Sequence, residues 1–314
     1  MTVRAGATLY PPTRSDPLNR AVAFTTETAS RDRLRIALLS PTGPSRGSVV
    51  FSVGRSEQIE KYGEVAGEFV ERGFTVLLQE WAGQGLSGRD HRDPLRAHAA
   101  GGWQRHLANF DHVLASFSDM LPRPWIAAAH SMGGGLIALA LAKGEQRFQS
   151  AILCAPMCGP NTEPFPRVIA SGAARMAEAL GMGGVLARRQ LDYATLPFEV
   201  NMLTHDRARF ERNQAVLRTH PALQLGEPTF TWVRYAFEIR RELRRPGAAE
   251  AIQIPVSIIA AEDDDFVDNG DLQHFARRLP RGSVEFVVGS YHEVLMESDA
   301  RRAIFWRAFD RLAV

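Results

Sequence analysis

The 314-residue chain predicts an α/β fold: a mostly parallel sheet flanked by helices and carrying a helical insertion. Three observations predict it. Short apolar runs alternate with amphipathic helical spacings up to about residue 155, the pattern of a parallel sheet covered on both faces. Between about Pro156 and Ala251 that rhythm stops, and helical patterns with proline breaks run on for longer than a loop would. From Val256 onward the strand–helix rhythm resumes.

Residues 1–30 read as an irregular lead-in with one strand near Ala21-Val22-Ala23-Phe24. Leu34 to Leu39 is a strand, and Pro41-Thr42-Gly43-Pro44 a turn. Ser48 to Val53 is a buried strand that breaks at Gly54-Arg55-Ser56. Glu57 to Arg72 has helical spacing, with Ile59, Tyr62, Val65, Ala66, Phe69 and Val70 on one side and Gly73 as its stop. Phe74 to Leu78 is the next strand. Trp103, Leu107, Phe110, Leu114 and Phe117 mark another helix. After the strand that ends before Ser131 come a helix to about Lys143 and a strand at Ala151-Ile152-Leu153-Cys154. Beyond the insertion, Val256 to Ala260 and Ser283 to Val288 are strands, and Asp271 to Leu279 and Glu297 to Leu312 are helices. The division expected is a core of residues 1–155 and 251–314 with an insertion of residues 156–250.

Composition bounds the function. A hydrophobic content of 45% is that of a globular protein with a sizeable core, and no apolar run is long enough for a membrane span. The stretch Met1 to Arg20 is polar and proline-rich with no apolar signal core, so a cytoplasmic location is the expectation. Cys154 and Cys158 are expected as two buried thiols; without further ligands they form no metal site. The net charge is only +2, and no aromatic-studded basic patch points to nucleic acid.

The chemistry centres on Trp125-Ile126-Ala127-Ala128-Ala129-His130-Ser131-Met132-Gly133-Gly134-Gly135. An apolar run ends abruptly at a serine and a small-residue helix follows at once. That is the pattern of a nucleophile elbow, G-x-S-x-G, with Ala129 in the first small position and Gly133 and Gly134 after the serine. The plainer reading is a helix capped by Ser131 whose glycines permit close packing. Two later loops favour the first. Ala261-Glu262-Asp263-Asp264-Asp265-Phe266-Val267-Asp268 and Gly289-Ser290-Tyr291-His292-Glu293 each follow a strand directly, giving the order serine, acid, histidine. His292 can take the proton of Ser131 and later return it, and one carboxylate must hold the imidazole in the right tautomer. Among Glu262, Asp263, Asp264, Asp265 and Asp268 most are expected to form a solvated acidic turn. The two backbone donors for an oxyanion should come from Met132 and from the loop after Val53.

With these residues the chain resembles the α/β-hydrolase superfamily, and most closely its lysophospholipase and monoacylglycerol lipase branch. The resemblance rests on His130-Ser131-Met132-Gly133-Gly134, on Gly83-Gln84-Gly85-Leu86-Ser87-Gly88, on Asp264 three residues before Val267, and on Tyr291-His292-Glu293. It implies Asp264 as the acid and, from Val53-Gly54-Arg55, the N–H of Arg55 as the second oxyanion donor. It also implies that residues 156–250 form a helical lid. Phe165, Val168, Ile169, Met176, Leu180, Phe198, Phe230, Trp232 and Phe237 lie there, most of them expected to pack the lid's own helices. The lid's thirteen arginines against ten acidic residues leave room for transient contact with an anionic membrane surface. The expectation is a serine hydrolase of lipid esters, either lysophospholipids or monoacylglycerols, with no metal or organic cofactor. An esterase for small soluble esters, an acyltransferase, and a non-catalytic binding protein of the same fold stand as alternatives.

Overall fold

The computed structural model describes residues 2–313. Nine strands form one sheet: β1 (Thr2–Ala5), β2 (Val22–Glu27), β3 (Arg33–Leu39), β4 (Ser48–Ser52), β5 (Thr75–Gln79), β6 (Trp125–His130), β7 (Phe148–Cys154), β8 (Val256–Ala261) and β9 (Gly282–Val287). Their spatial order is β1-β2-β3-β5-β4-β6-β7-β8-β9. From β5 to β9 the strands run parallel, while β1, β2 and β3 are joined antiparallel at one edge. The central strands β4, β5 and β6 are buried at every residue, as continuous apolar runs in a two-sided parallel sheet should be.

Helices cover the sheet: α1 (Gly63–Glu71), α2 (Gly102–Ser116), α3 (Ser131–Ala142), α4 (Arg167–Ala179), α5 (Arg207–Thr219), α6 (Phe230–Leu243), α7 (Asn269–Ala276) and α8 (Asp299–Leu312). The strand expected near Ala21 is β2, but β1 before it was not expected. It is a short edge strand bonded only to β2, and Thr2-Val3-Arg4-Ala5 offers little apolar alternation. The helix expected over Glu57 to Arg72 is a 3-10 turn at Ile59–Tyr62 followed by α1. Glu57, Glu60 and Lys61, which helical spacing would leave to solvent, are instead buried.

The segment 156–250, expected as one insertion, divides in two. Helices α4 and α5 and the turns between them lie outside the main core, whereas α6 sends Tyr235, Ala236, Ile239 and Leu243 into it. Parallel strands β7 and β8 need a crossover that brings the chain back to the start of the next strand, and α6 supplies it. Helix α6 thus packs on the core although it falls within the segment expected as the insertion.

Candidate active site

Ser131 stands between β6 and α3 with a φ of 52°, a left-handed backbone that a serine adopts only under constraint. The constraint is local crowding. A Cβ on Gly133 would lie 2.5 Å from the carbonyl oxygens of Ser52 and Val53, so α3 can approach the end of β4 only with glycine there. Gly54 touches the serine from the other side, where an added Cβ would come within 2.9 Å of Ser131 Cβ. Ala129 and His130 are buried in the strand leading in, and Gly134 in the helix leading out.

Ser131, His292 and Asp264 meet in one hydrogen-bonded row. Asp264 Oδ2 lies 2.7 Å from His292 Nδ1, and His292 Nε2 lies 2.8 Å from Ser131 Oγ. A carboxylate only accepts, so Nδ1 carries the proton and Nε2 is left to accept from the serine hydroxyl. The other oxygen of Asp264 accepts from the backbone N–H groups of Phe266 at 2.8 Å and Val267 at 3.0 Å. Burial pushes the Asp264 carboxyl up, but His292 and those two N–H groups outweigh it and hold it below its ordinary value. The Phe266 ring lies 5.1 Å from the His292 ring and walls that side.

The neighbouring acids do other things. Glu262 accepts from Gly289 N–H at 2.8 Å, and Asp268 caps α7 through Asp271 N–H at 2.7 Å and pairs with Arg167. The expectation of a solvated turn holds for Glu262, Asp263 and Asp265, all exposed, and fails for the partly buried Asp268.

A set of charges that helical spacing did not reveal lies directly behind the row. Glu57 accepts from Gly54 N–H, from Tyr62 Oη–H at 2.7 Å and from Lys61 Nζ at 2.8 Å. Lys61 in turn pairs with Glu293, the residue after His292. His130 Nε2 donates to the His292 carbonyl at 3.2 Å, and its Nδ1 lies 2.9 Å from Glu57 as a close charge contact without hydrogen-bond alignment. Burial pushes His130 down, but Glu57 more than offsets it and raises the imidazole above its ordinary value. Glu57 thus joins the loop after β4, the elbow and the histidine loop. Two further side chains hold that first loop: Gln84 Oε1 accepts from Ser56 N–H at 2.6 Å, and Trp81 Nε1 donates to Val53 O at 2.9 Å. The glycine loop Gly83 to Gly88 was legible as a motif; its work of delivering Gln84 to Ser56 was not.

A cavity of about 490 Å³ opens above the row. Ser131, His292 and Arg55 line it, together with apolar side chains such as Phe230, Trp232, Leu217 and Met296. Phe198 does pack within residues 156–250, 5.5 Å from the Phe210 ring. Phe165, Val168, Ile169, Met176 and Leu180, expected to pack inward, instead lie more than half exposed. The helix α4 buries Ala174 and Ala177 and turns Val168 and Met176 out, while Ile169, like Phe165 before the helix, lines the cavity. No described helix is long and apolar enough to cross a membrane. Cys154 and Cys158 are both buried free thiols.

The family model described as serine aminopeptidase, S33, matches residues 43–299, and the chain belongs to that family of α/β hydrolases. Among curated proteins, it is 31% identical over 277 residues to lysophospholipase L2 of Escherichia coli K12, covering 82% of this chain and 77% of that one. It is 22% identical over 272 residues to a monoacylglycerol lipase of Mycolicibacterium smegmatis, covering 83% and 86%. Among solved structures, a soluble variant of monoglyceride lipase from Saccharomyces cerevisiae in complex with a substrate analogue shares the fold with a TM-score of 0.71. That match is 16% identical and covers 98% of both chains.

Proposed function

We propose that the protein hydrolyses carboxylic esters of lipids, lysophospholipids or monoacylglycerols, through an acyl-enzyme. The observation that carries this reading is the Ser131–His292–Asp264 row opening into the cavity beneath the lid. The relatives' names, lysophospholipase and monoacylglycerol lipase, support the lipid ester as substrate. The family description names a peptidase, and all three share attack of a serine on an acyl carbon.

In this mechanism Ser131 Oγ attacks the ester carbonyl as His292 Nε2 takes its proton. The N–H groups of Met132 and Arg55 hold the oxyanion; Met132 follows the nucleophile at the start of α3, and Arg55 lies in the loop that Glu57 and Gln84 fix. His292 returns the proton to the leaving alcohol. It then draws one from water, which attacks the acyl-enzyme and releases the fatty acid. Asp264 keeps the imidazole oriented and balances its positive form. The outward apolar side chains of α4 support transient contact of the lid with a lipid surface.

The test is a hydrolysis panel of lysophosphatidylcholine, monoacylglycerols, p-nitrophenyl esters of rising chain length and an aminoacyl p-nitroanilide, run beside fluorophosphonate labelling. Labelling lost in Ser131→Ala and kcat/KM rising with chain length are the expected results. Each buried methylene is worth about 0.8 kcal/mol, so two carbons should give roughly ten-fold. A flat profile would favour small esters, turnover only with an acceptor alcohol an acyltransferase, preference for the anilide a peptidase, and absence of labelling a binding protein.

A further inference from the structure

Resting on that reading, we infer that the guanidinium of Arg55 is a headgroup subsite for phosphate, and that it directs the enzyme to lysophospholipids over neutral monoacylglycerols. Four cationic side chains line the cavity, and three are neutralised by carboxylates. Lys61 is held by Glu57 and Glu293, Arg188 by Glu227, and Arg209 by Glu64, Asp206 and Asp299. Arg55 is the exception: among the described residues it forms no ion pair. One terminal nitrogen donates to Gly226 O at 3.1 Å and Ser56 Oγ at 3.2 Å, and the guanidinium carbon lies 5.1 Å from the Trp232 ring. Its Nε and other terminal nitrogen have no protein partner among the described residues.

A half-buried cation left without a carboxylate is costly, because its lost hydration is only partly replaced by carbonyl and ring contacts. An anionic ligand removes that cost. The two free N–H positions of a planar guanidinium suit a tetrahedral phosphate, which can accept from both. Position fits as well. The backbone N–H of the same residue faces the reacting carbonyl in the mechanism above, so the guanidinium sits one side-chain length from the ester. In a lysophospholipid the phosphate stands off from the ester oxygen by the glycerol carbons, a comparable span. A monoacylglycerol offers only a hydroxyl there, leaving the charge unpaired.

The experiment compares kcat/KM for lysophosphatidylglycerol and for the monoacylglycerol of the same short acyl chain, both as monomers, in wild type, Arg55→Gln and Arg55→Lys. Both substrates share the oxyanion donors, so the ratio reads the side chain even where the loop shifts. The expected result is a phosphate-to-neutral ratio lowered at least ten-fold in Arg55→Gln and less in Arg55→Lys. Glycerol 3-phosphate should inhibit wild type competitively and Arg55→Gln at least ten-fold more weakly. An unchanged ratio, or both substrates falling in parallel, overturns the proposal and leaves Arg55 as a tie between lid and loop. Inorganic phosphate inhibiting as strongly as glycerol 3-phosphate assigns the site to free phosphate and overturns the headgroup. Hydrolysis of neither substrate by wild type, or turnover surviving Ser131→Ala, overturns the ester-hydrolase reading itself.

Discussion

Val267 N–H donates to Asp264 Oδ1 at 3.0 Å, across three residues of the loop after β8. That bond explains the spacing of acid and valine in physical terms. The loop folds back on its own carboxylate, one oxygen is consumed by the backbone, and the other is left aimed at His292. Asp264→Asn keeps the shape but cannot balance an imidazolium, and its amide can favour the wrong tautomer. A loss of about 10³–10⁴-fold in kcat is expected, with less than about ten-fold for Asp263→Asn and Asp265→Asn. Steady-state kinetics beside thermal melts check this; a large loss at Asp263 or Asp265 with Asp264→Asn active would move the acid.

Gly133→Ala sets two effects against each other. Alanine favours a helix over glycine by about 1 kcal/mol. The added methyl would stand 2.5 Å from the Ser52 and Val53 carbonyls, which belong to backbone and cannot swing aside. Overpacking of this kind costs about 1–3 kcal/mol, so net destabilisation is expected. The strand pushed away leads into the loop proposed to hold the oxyanion, so kcat should fall at least ten-fold. Urea unfolding and kcat on one preparation decide it; a variant as stable and active as wild type would show that the elbow has slack.

Glu57→Gln leaves Lys61, Glu293 and His130 without the carboxylate between them. Removing one partner of a buried charge set typically costs about 3–5 kcal/mol. Loss in that range is expected by chemical denaturation, with reduced kcat because Gly54, the elbow and the histidine loop all lean on this group. A cost under about 1 kcal/mol would mean that water already screens the cluster.

Glu64 on α1 pairs with Arg209 and Arg212 of α5 and with Arg302 of α8. Burial raises its pKa, but the three guanidinium groups win and hold it down to about 2. A depressed carboxyl contributes stability that is full above its unfolded value, near 4.3, and is lost as pH falls through the folded one. The stability difference between wild type and Glu64→Gln should therefore be constant from pH 7 to about 5 and shrink toward pH 2. After discounting for solvent around a half-buried group, roughly 1 kcal/mol is expected. Denaturation midpoints across that range measure it, and a difference that grows on acidification contradicts the assignment.

Much of this arrangement was legible in the sequence because it depends on local chemistry. The elbow reads from Ser131 and its small neighbours, and the acid from the three-residue spacing to Val267 that the family resemblance implies. What was hidden depends on partners far along the chain. Glu57, Glu60 and Lys61 look like the wet face of a helix until Arg35 and Glu293 arrive to neutralise them. Helix α4 shows the opposite failure: its apolar stripe reads as a packing face, but its small residues do the packing. Helix α6 reads like the rest of the insertion because a crossover helix and a lid helix carry similar amphipathic patterns.

The segment before α6 leaves the core after Cys158, just beyond Pro156, which packs on Gly134 in the first turn of α3, and it rejoins at Thr229, whose N–H donates to Ala97 O at the start of α6. Both junctions border the same opening over Ser131, since Met157 and Pro228 line one cavity. Between these joints the segment is also seated on the histidine loop, where Leu203 O accepts from Glu293 N–H at 2.9 Å and Thr204 Oγ donates to Met296 O at 2.7 Å. The segment is thus built as a cartridge with a third attachment: recombination or design that exchanged it at the two joints would renew what the enzyme admits and inherit its chemistry only where the seat on the histidine loop is kept.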